Sequence, residues 1–305
     1  MDTQTICITG ASSGFGKLTA LALLRRGHTV FATMRDARGR NADRAAELVD
    51  AAKGGRGRCH VLDLDVTSDA SVERAVSEAL GLEGRIDALV SNAGIGIRGM
   101  AEAVTPGQFA AVLDVNVLGA HRMCRAVLPG MRERGCGLLL FVTSIMGRMV
   151  IPFAGPYTAS KSALEGLAET YRYELAPSGI DVAIVEPGGF GTSFRANMQQ
   201  AADEDVADAY GRLRERQLGL WHNITRRFQR SDAPDPEIVA DALVELIEKP
   251  AGKRPLRTVI DPASGGQALE AINQACSQAQ EEILSAMGLA DLLYPLRATK
   301  NTDRE

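Results

Sequence analysis

Residues 9 to 16 read T-G-A-S-S-G-F-G, between an apolar strand pattern at Ile6 and Ile8 and an apolar helix pattern at Leu18, Leu21, Leu23 and Leu24. Few folds accept a strand that passes through so glycine-rich a turn directly into a helix. The glycines permit a tight turn and close backbone approach, and the helix start presents free N–H groups suited to a pyrophosphate. The rest of the chain continues the alternation. Strand patterns at 29–34, 59–63, 88–91, 138–143, 182–186 and 257–260 are separated by helix patterns at 17–26, 41–53, 68–80, from Thr105–Pro106 toward Leu128, from about Tyr157 to before Gly179, and at 236–248. Strands alternating with helices predict an α/β fold, a doubly wound parallel sheet of about seven strands with helices on both faces.

A second stretch carries chemistry. Tyr157 and Lys161 are four apart at the start of a helix pattern and so share one face, and Ser144 ends the strand pattern before them. A phenol is a poor acid at neutral pH, with a reference pKa of about 10, and a nearby ammonium favours its phenolate. Ser144 then holds a carbonyl oxygen while Tyr157 supplies the proton. Tyr and Lys at this spacing also occur on many surface helices, and a glycine-rich turn alone is weak evidence.

The two motifs together, in this order, make the chain resemble the classical short-chain dehydrogenase/reductase family over residues 3 to 262, with a layout most similar to its steroid and retinol dehydrogenase-like members. The resemblance implies a Rossmann-type fold and specific roles. Gly10, Ser12, Ser13, Gly14 and Phe15 hold the dinucleotide phosphates, Asp65 and Val66 frame the adenine, and Asn92, Ala93 and Gly94 lie beside its ribose. Asn116 keeps a water in the proton path, Lys161 also bonds the nicotinamide ribose, and Pro187, Gly188, Phe190 and Thr192 meet the nicotinamide carboxamide. Ser91 departs from the pattern, standing where the family usually has Asn.

Cofactor choice turns on register. Counting about twenty residues past the glycines nominates Asp36 as a ribose-binding acid and hence NAD. In the family resembled, the selecting acid is the last residue of the second strand, here Met34, and the base that selects NADP follows it, here Arg35. Met34 repels no phosphate and Arg35 offers a planar fork, with Ser12 as a second donor, so NADP(H) is expected. A solvated Arg35 paired with Asp36 is the plain alternative.

The chain is expected to be one Rossmann-type domain over residues 1–305, interrupted by a segment at 193–233 that breaks the alternation and reads as a substrate lid, and extended by helix at 263–296. Leu269, Ile272, Cys276, Ala279, Ile283 and Met287 recur at helical spacing, predicting a packed face, and the chain frays from about 297. Met146, Met149, Phe153 and Phe194, with Ser144 and Tyr157, are the expected substrate contacts, and their apolar character predicts a mainly hydrophobic carbonyl or alcohol. A ketoacyl-thioester reductase and a catalytically silent NADP(H)-sensing protein are the competing readings.

A net charge of −4 argues against nucleic acid as the main partner. The arginines at 212, 214, 216, 226, 227 and 230 read as a solvated helix face. Five cysteines without a C-x-x-C pair read as free thiols, and an N-terminus leading straight into the first strand, with no long apolar run, predicts a cytoplasmic protein without a membrane span. Four scattered histidines, at 28, 60, 121 and 222, give a metal site little support. By resemblance, a homodimer or homotetramer forms through the helices that contain Asn116 and Tyr157.

Overall fold

The computed structural model describes residues 3–293. Nine strands and eleven α-helices follow in chain order among them: β1 (Thr5–Ile8), α1 (Gly14–Arg25), β2 (Thr29–Met34), α2 (Ala42–Ala52), β3 (Arg58–Asp63), α3 (Asp69–Glu83), β4 (Ala88–Ser91), β5 (Ile97–Arg98), α4 (Pro106–Leu113), α5 (Gly119–Arg134), β6 (Gly137–Val142), α6 (Gly155–Leu175), β7 (Ile180–Pro187), α7 (Ser193–Ala196), β8 (Gln199–Gln200), α8 (Glu204–Ala209), α9 (Arg212–Phe228), α10 (Glu237–Glu248), β9 (Arg257–Ile260) and α11 (Gln267–Ala286). Seven strands form one parallel sheet in the order β3-β2-β1-β4-β6-β7-β9. Strand order reverses at β1, which pairs with β2 on one side and β4 on the other, so a crevice opens beyond their C-terminal ends.

The period-two rule explains the two cores. Ile6 and Ile8 of β1 face a cluster with Leu23 of α1 and Leu243 and Ile247 of α10. Cys7 faces the opposite cluster, with Val76 of α3, Met131 of α5 and Leu164 of α6. Burying the sheet on both sides makes its inner strands near-continuous apolar runs, which is why β2 and β4 stand at the bounds expected from sequence; β9, half-buried at the sheet edge, also keeps its expected bounds.

Three features differ from expectation. The helix opened by the Thr105–Gln108 capping box and Pro106 does not stop near Leu128; a wider π turn at Asp114–Leu118 joins α4 to α5, which carries Pro129 inside it. Pro129 is exposed, so the carbonyl it leaves unbonded one turn earlier is on the solvent side. The two-residue parallel pair β5–β8 was too short to show any periodicity; it ties the segment after Thr192 to the loop after β4. On α11 the buried side chains are Leu269, Asn273 and Leu284, whereas Ile272, Ile283 and Met287 are exposed. A polar tie rotates the helix this way: Asn273 Nδ2 donates to the buried Glu186 at 2.6 Å, and Arg148 donates to Asn273 Oδ1 at 2.9 Å. The fraying expected from about residue 297, and the last residues of the 263–296 extension, lie outside the described residues.

Candidate active site

The turn after β1 and the loop after β4 are bonded to each other. The Thr9 hydroxyl accepts from the backbone N–H groups of Asn92 (3.0 Å) and Ala93 (2.9 Å), and Asn92 Nδ2 donates to Thr9 O at 2.9 Å and Gly10 O at 3.2 Å. Glycine is needed at two points. Gly10 has φ +69°, and a Cβ on Gly16 would lie 2.5 Å from Asn92 Nδ2 and 2.6 Å from Gly10 O. Ser13 precedes α1 in extended conformation without a side-chain cap, so the first N–H groups of the helix stay open to ligand.

These loops form one wall of a cavity of about 690 Å³. Gly10, Ser12, Ser13, Gly14, Phe15, Arg35, Asp65, Val66, Asn92, Ala93, Gly94, Pro187, Gly188, Phe190 and Thr192 all line it. The close-approach glycines and the open helix start fit a dinucleotide. Phe15 and Phe190 meet edge to face at 5.4 Å, joining the turn after β1 to the loop after β7.

Beyond β2 the register is explicit. Met34 is the last strand residue, paired with Asp63, and is buried, while Arg35 is exposed at the cavity. Asp36, at φ +51°, turns away from the cavity: its N–H donates to Asp63 and its carboxylate accepts from Arg40 N. It makes no ion pair with Arg35 among the described residues. Arg40 and Arg44 also line the cavity, and the sequence reading missed both; the signal was the run R-D-A-R-G-R-N-A-D-R after β2. Burial alone would raise the Asp65 carboxyl, but hydrogen bonds from the Thr67 N–H and hydroxyl, joined by the charges of Arg35 and Arg40, together hold it below its ordinary value.

Ser144, Tyr157 and Lys161 come together at the inner end of the cavity, all buried. Burial pushes the Tyr157 phenol up to about 12, and the Ser144 hydroxyl and the Arg195 charge offset part of that rise. The expected lowering by Lys161 is not present in the free protein. Lys161 Nζ lies 5.8 Å from the Tyr157 ring centre and donates to Val142 O at 2.9 Å. Burial lowers its own pKa to about 8, with the Glu165 carboxylate opposing. Asn116 sits in the π turn behind the cavity wall, bonded through Oδ1 to Ile95 N (2.9 Å) and through Nδ2 to Ile95 O (3.0 Å) and Ser160 Oγ (2.9 Å). It pins the loop after β4, a use of the amide that its sequence context did not reveal.

Of the four apolar residues expected at the substrate, Met146 and Phe194 line the cavity and Met149 and Phe153 do not. Phe153, at φ +69°, packs instead on the Ile97 and Met100 cluster, and its carbonyl accepts from Gly99 N. Ile151 lines the cavity in their place, with Met198, Trp221, Ile224 and Phe228 from the segment after Thr192. Arg195 enters the same space, its Nε donating to Phe190 O at 3.2 Å and its guanidinium lying 4.2 Å from the Phe228 ring centre. No motif marked Arg195; its position just after the Thr192 loop was the only signal.

No helix among the described residues is long and apolar enough to cross a membrane, and none of their side chains form a metal-ligating group of three. A short chain dehydrogenase family model matches residues 4–203. The chain is 39% identical over 214 residues to a 3-ketodihydrosphingosine reductase of Bacteroides thetaiotaomicron, covering 69% of this chain and 74% of that one. It is 36% identical over 255 residues to the human 17-beta-hydroxysteroid dehydrogenase type 1, covering 82% and 76%. A crystal structure of a short-chain dehydrogenase from Streptomyces avermitilis superposes with a TM-score of 0.72 at 30% identity, covering 94% of this chain and 98% of that one. The chain belongs to the short-chain dehydrogenase family and is an oxidoreductase with a Rossmann-type nucleotide-binding fold.

Proposed function

We propose that this protein moves hydride between NADP(H) and the carbonyl/alcohol pair of a mainly hydrophobic small molecule. The observation that carries the reading is the convergence of Ser144, Tyr157 and Lys161 at the apolar inner end of a cavity whose outer end is lined by Arg35, Arg40 and Arg44. When bound, the dinucleotide supplies or accepts the hydride. Ser144 orients the substrate oxygen, and Tyr157 gives its phenolic proton to that oxygen during reduction or takes it during oxidation. Lys161, nine-tenths charged at pH 7 for a pKa of about 8, stabilises the phenolate left behind. Asn116 supports the proton path by fixing the loop after β4.

Cofactor preference follows from charge. Arg35 has no carboxylate partner among the described residues, Met34 is neutral, and the Ser12 and Ser13 turn lines the same cavity. A 2'-phosphate gains roughly 1.5 to 3 kcal/mol from one charged hydrogen bond, about tenfold to a hundredfold in affinity. Residues 193–233 act as the lid of the substrate half within one Rossmann-type domain, and 263–296 as its C-terminal extension. The free cysteines fit a cytoplasmic setting, and exposed Phe109 and Leu118 on the helices around Asn116 fit a homodimer or homotetramer.

One observation favours the ketoacyl-thioester alternative. Arg226 and Arg227, beside an Arg230 already paired with Asp232, line a separate cavity of about 570 Å³ at the end of α9, where the phosphates of a thioester carrier would meet two cations. A panel of free ketones, alcohols and acyl thioesters, assayed by nicotinamide absorbance with each cofactor, tests both readings. Faster turnover of free ketones with NADPH is expected, and with Arg35→Ala the NADPH advantage disappears. Equal use of NADH by the wild type would overturn the cofactor assignment.

A further inference from the structure

We infer that the substrate carries a carboxylate close to its reacting carbon and that Arg195 binds it. This rests on the reading of Tyr157 as the proton donor and adds the substrate's charge. On the segment after Thr192 the cavity lining combines Phe194, Met198, Trp221, Ile224 and Phe228 with the uncharged polar Asn197 and Gln199, and Arg195 is its one charged group. Arg195 lines the cavity between Phe190 O, which accepts from its Nε, and the Phe228 ring. Among the described residues it makes no ion pair. Among the described residues Asp65 is the sole acidic residue lining the cavity, and it lies at the opposite end with Arg35 and Arg40. A cation held in a partly dry pocket without a counter-ion costs stability, and a bound anion recovers it.

Two details define that anion. Only the Nε of Arg195 is engaged, so its planar fork remains open to a bidentate partner, the geometry of a carboxylate. A phosphate dianion would call for further cations, and the one other cation at this end, Lys161, donates to Val142 O beside Tyr157. Trp221 lies on the same wall, with its Nε1 buried and unbonded. Position along the substrate follows from Tyr157: the Arg195 charge reaches its phenol, and Phe194, the neighbouring residue, packs on the Tyr157 ring at 5.5 Å. The anion therefore sits near the oxygen that Tyr157 protonates, and the apolar remainder of the substrate lies along Ile224 and Met198.

Benzylpyruvate and benzylacetone differ at this point alone, a carboxylate replacing a methyl beside the ketone. Trp221 is the single tryptophan of the chain, so its fluorescence reports cavity binding whether or not turnover occurs. In wild-type protein with NADP⁺, benzylpyruvate is expected to bind roughly tenfold to a hundredfold more tightly than benzylacetone. Arg195→Met should remove that difference, Arg195→Lys should restore part of it, and the KM for NADPH should change less than about threefold. Equal binding of the two ketones, quenching by neither, or a loss in Arg195→Met that appears in the NADPH KM would overturn the inference, the last assigning Arg195 to the cofactor pyrophosphate. Selective binding of benzylpyruvate without turnover of any carbonyl would instead overturn the reductase reading and leave the anion site standing.

Discussion

The two halves of the cavity are built by different means. The dinucleotide half is made of the C-terminal ends of β1, β4 and β7, each continuing a fully buried strand, and the Thr9, Asn92 and Gly10 bonds tie two of those ends together. Much of the substrate half is a surface layer. In α9 only Gln217 and Trp221 are buried, and the layer is tied to the sheet side by the β5–β8 pair and by Gln108, which bonds Gln200 O and Ala202 N. A site wall continuous with the sheet shares its cooperativity, whereas a wall held by few contacts opens locally at lower free energy. Under the proposed function, hydride transfer rests on the half continuous with the sheet, and substrate contact on the surface layer.

The largest effect that sharpens this contrast is at the junction of the halves. Tyr157→Phe keeps the ring packed on Phe194 and removes the transferable proton, so turnover should fall by about 10²-fold to 10⁴-fold with little change in cofactor affinity. Retention of more than a tenth of wild-type turnover in a folded variant would show that the proton comes from elsewhere.

Next is the cost of the rigid half. Lys161 titrates near 8 in the fold against 10.5 for the free amine. Between those values the unfolded chain binds more protons, so stability rises with pH through the window, and below about 8 the burial penalty is present in full. Lys161→Met removes that penalty. At pH 7 a gain of about 2 kcal/mol is expected, the roughly 3 kcal/mol of charge burial less about 1 for the lost bond to Val142 O, and it should vanish by about pH 10. Denaturant unfolding across pH is the measurement; a destabilised variant at pH 7 would mean that Lys161 is not held against its charge.

The smallest effect concerns motion. Amides of α9 should exchange faster than those of β4 and β6 in the free protein, and NADP⁺ with a bound ketone should slow them by about tenfold while leaving the strands unchanged. Exchange in α9 as slow as in β4 would erase the distinction between a rigid and a mobile wall.

Short-range rules account for what could be read early. The Thr9–Gly16 turn, the strand bounds and the shared face of Tyr157 and Lys161 depend on glycine conformation, apolar period and helical spacing, all properties of neighbouring residues. Met149, Phe153 and the α11 stripe show where such rules fail. An apolar residue near a catalytic strand has several apolar neighbours to choose among, and the positive φ of Phe153 turns it away from the cavity while Asn273 rotates α11 by hydrogen bonding to Glu186.

The sheet, the turns fitted to a dinucleotide and the candidate proton donor were legible along the chain, because each depends on local backbone preferences or on a period of two or four residues. The direction of the Tyr157 and Lys161 shifts and the entry of Arg195 into the cavity emerge only in the folded molecule. Those depend on how much water is excluded and on which charges, distant in the chain, come to face one another. Tyr157 and Arg195 are 38 positions apart, and their proximity exists only once the segment after β7 has folded back over α6.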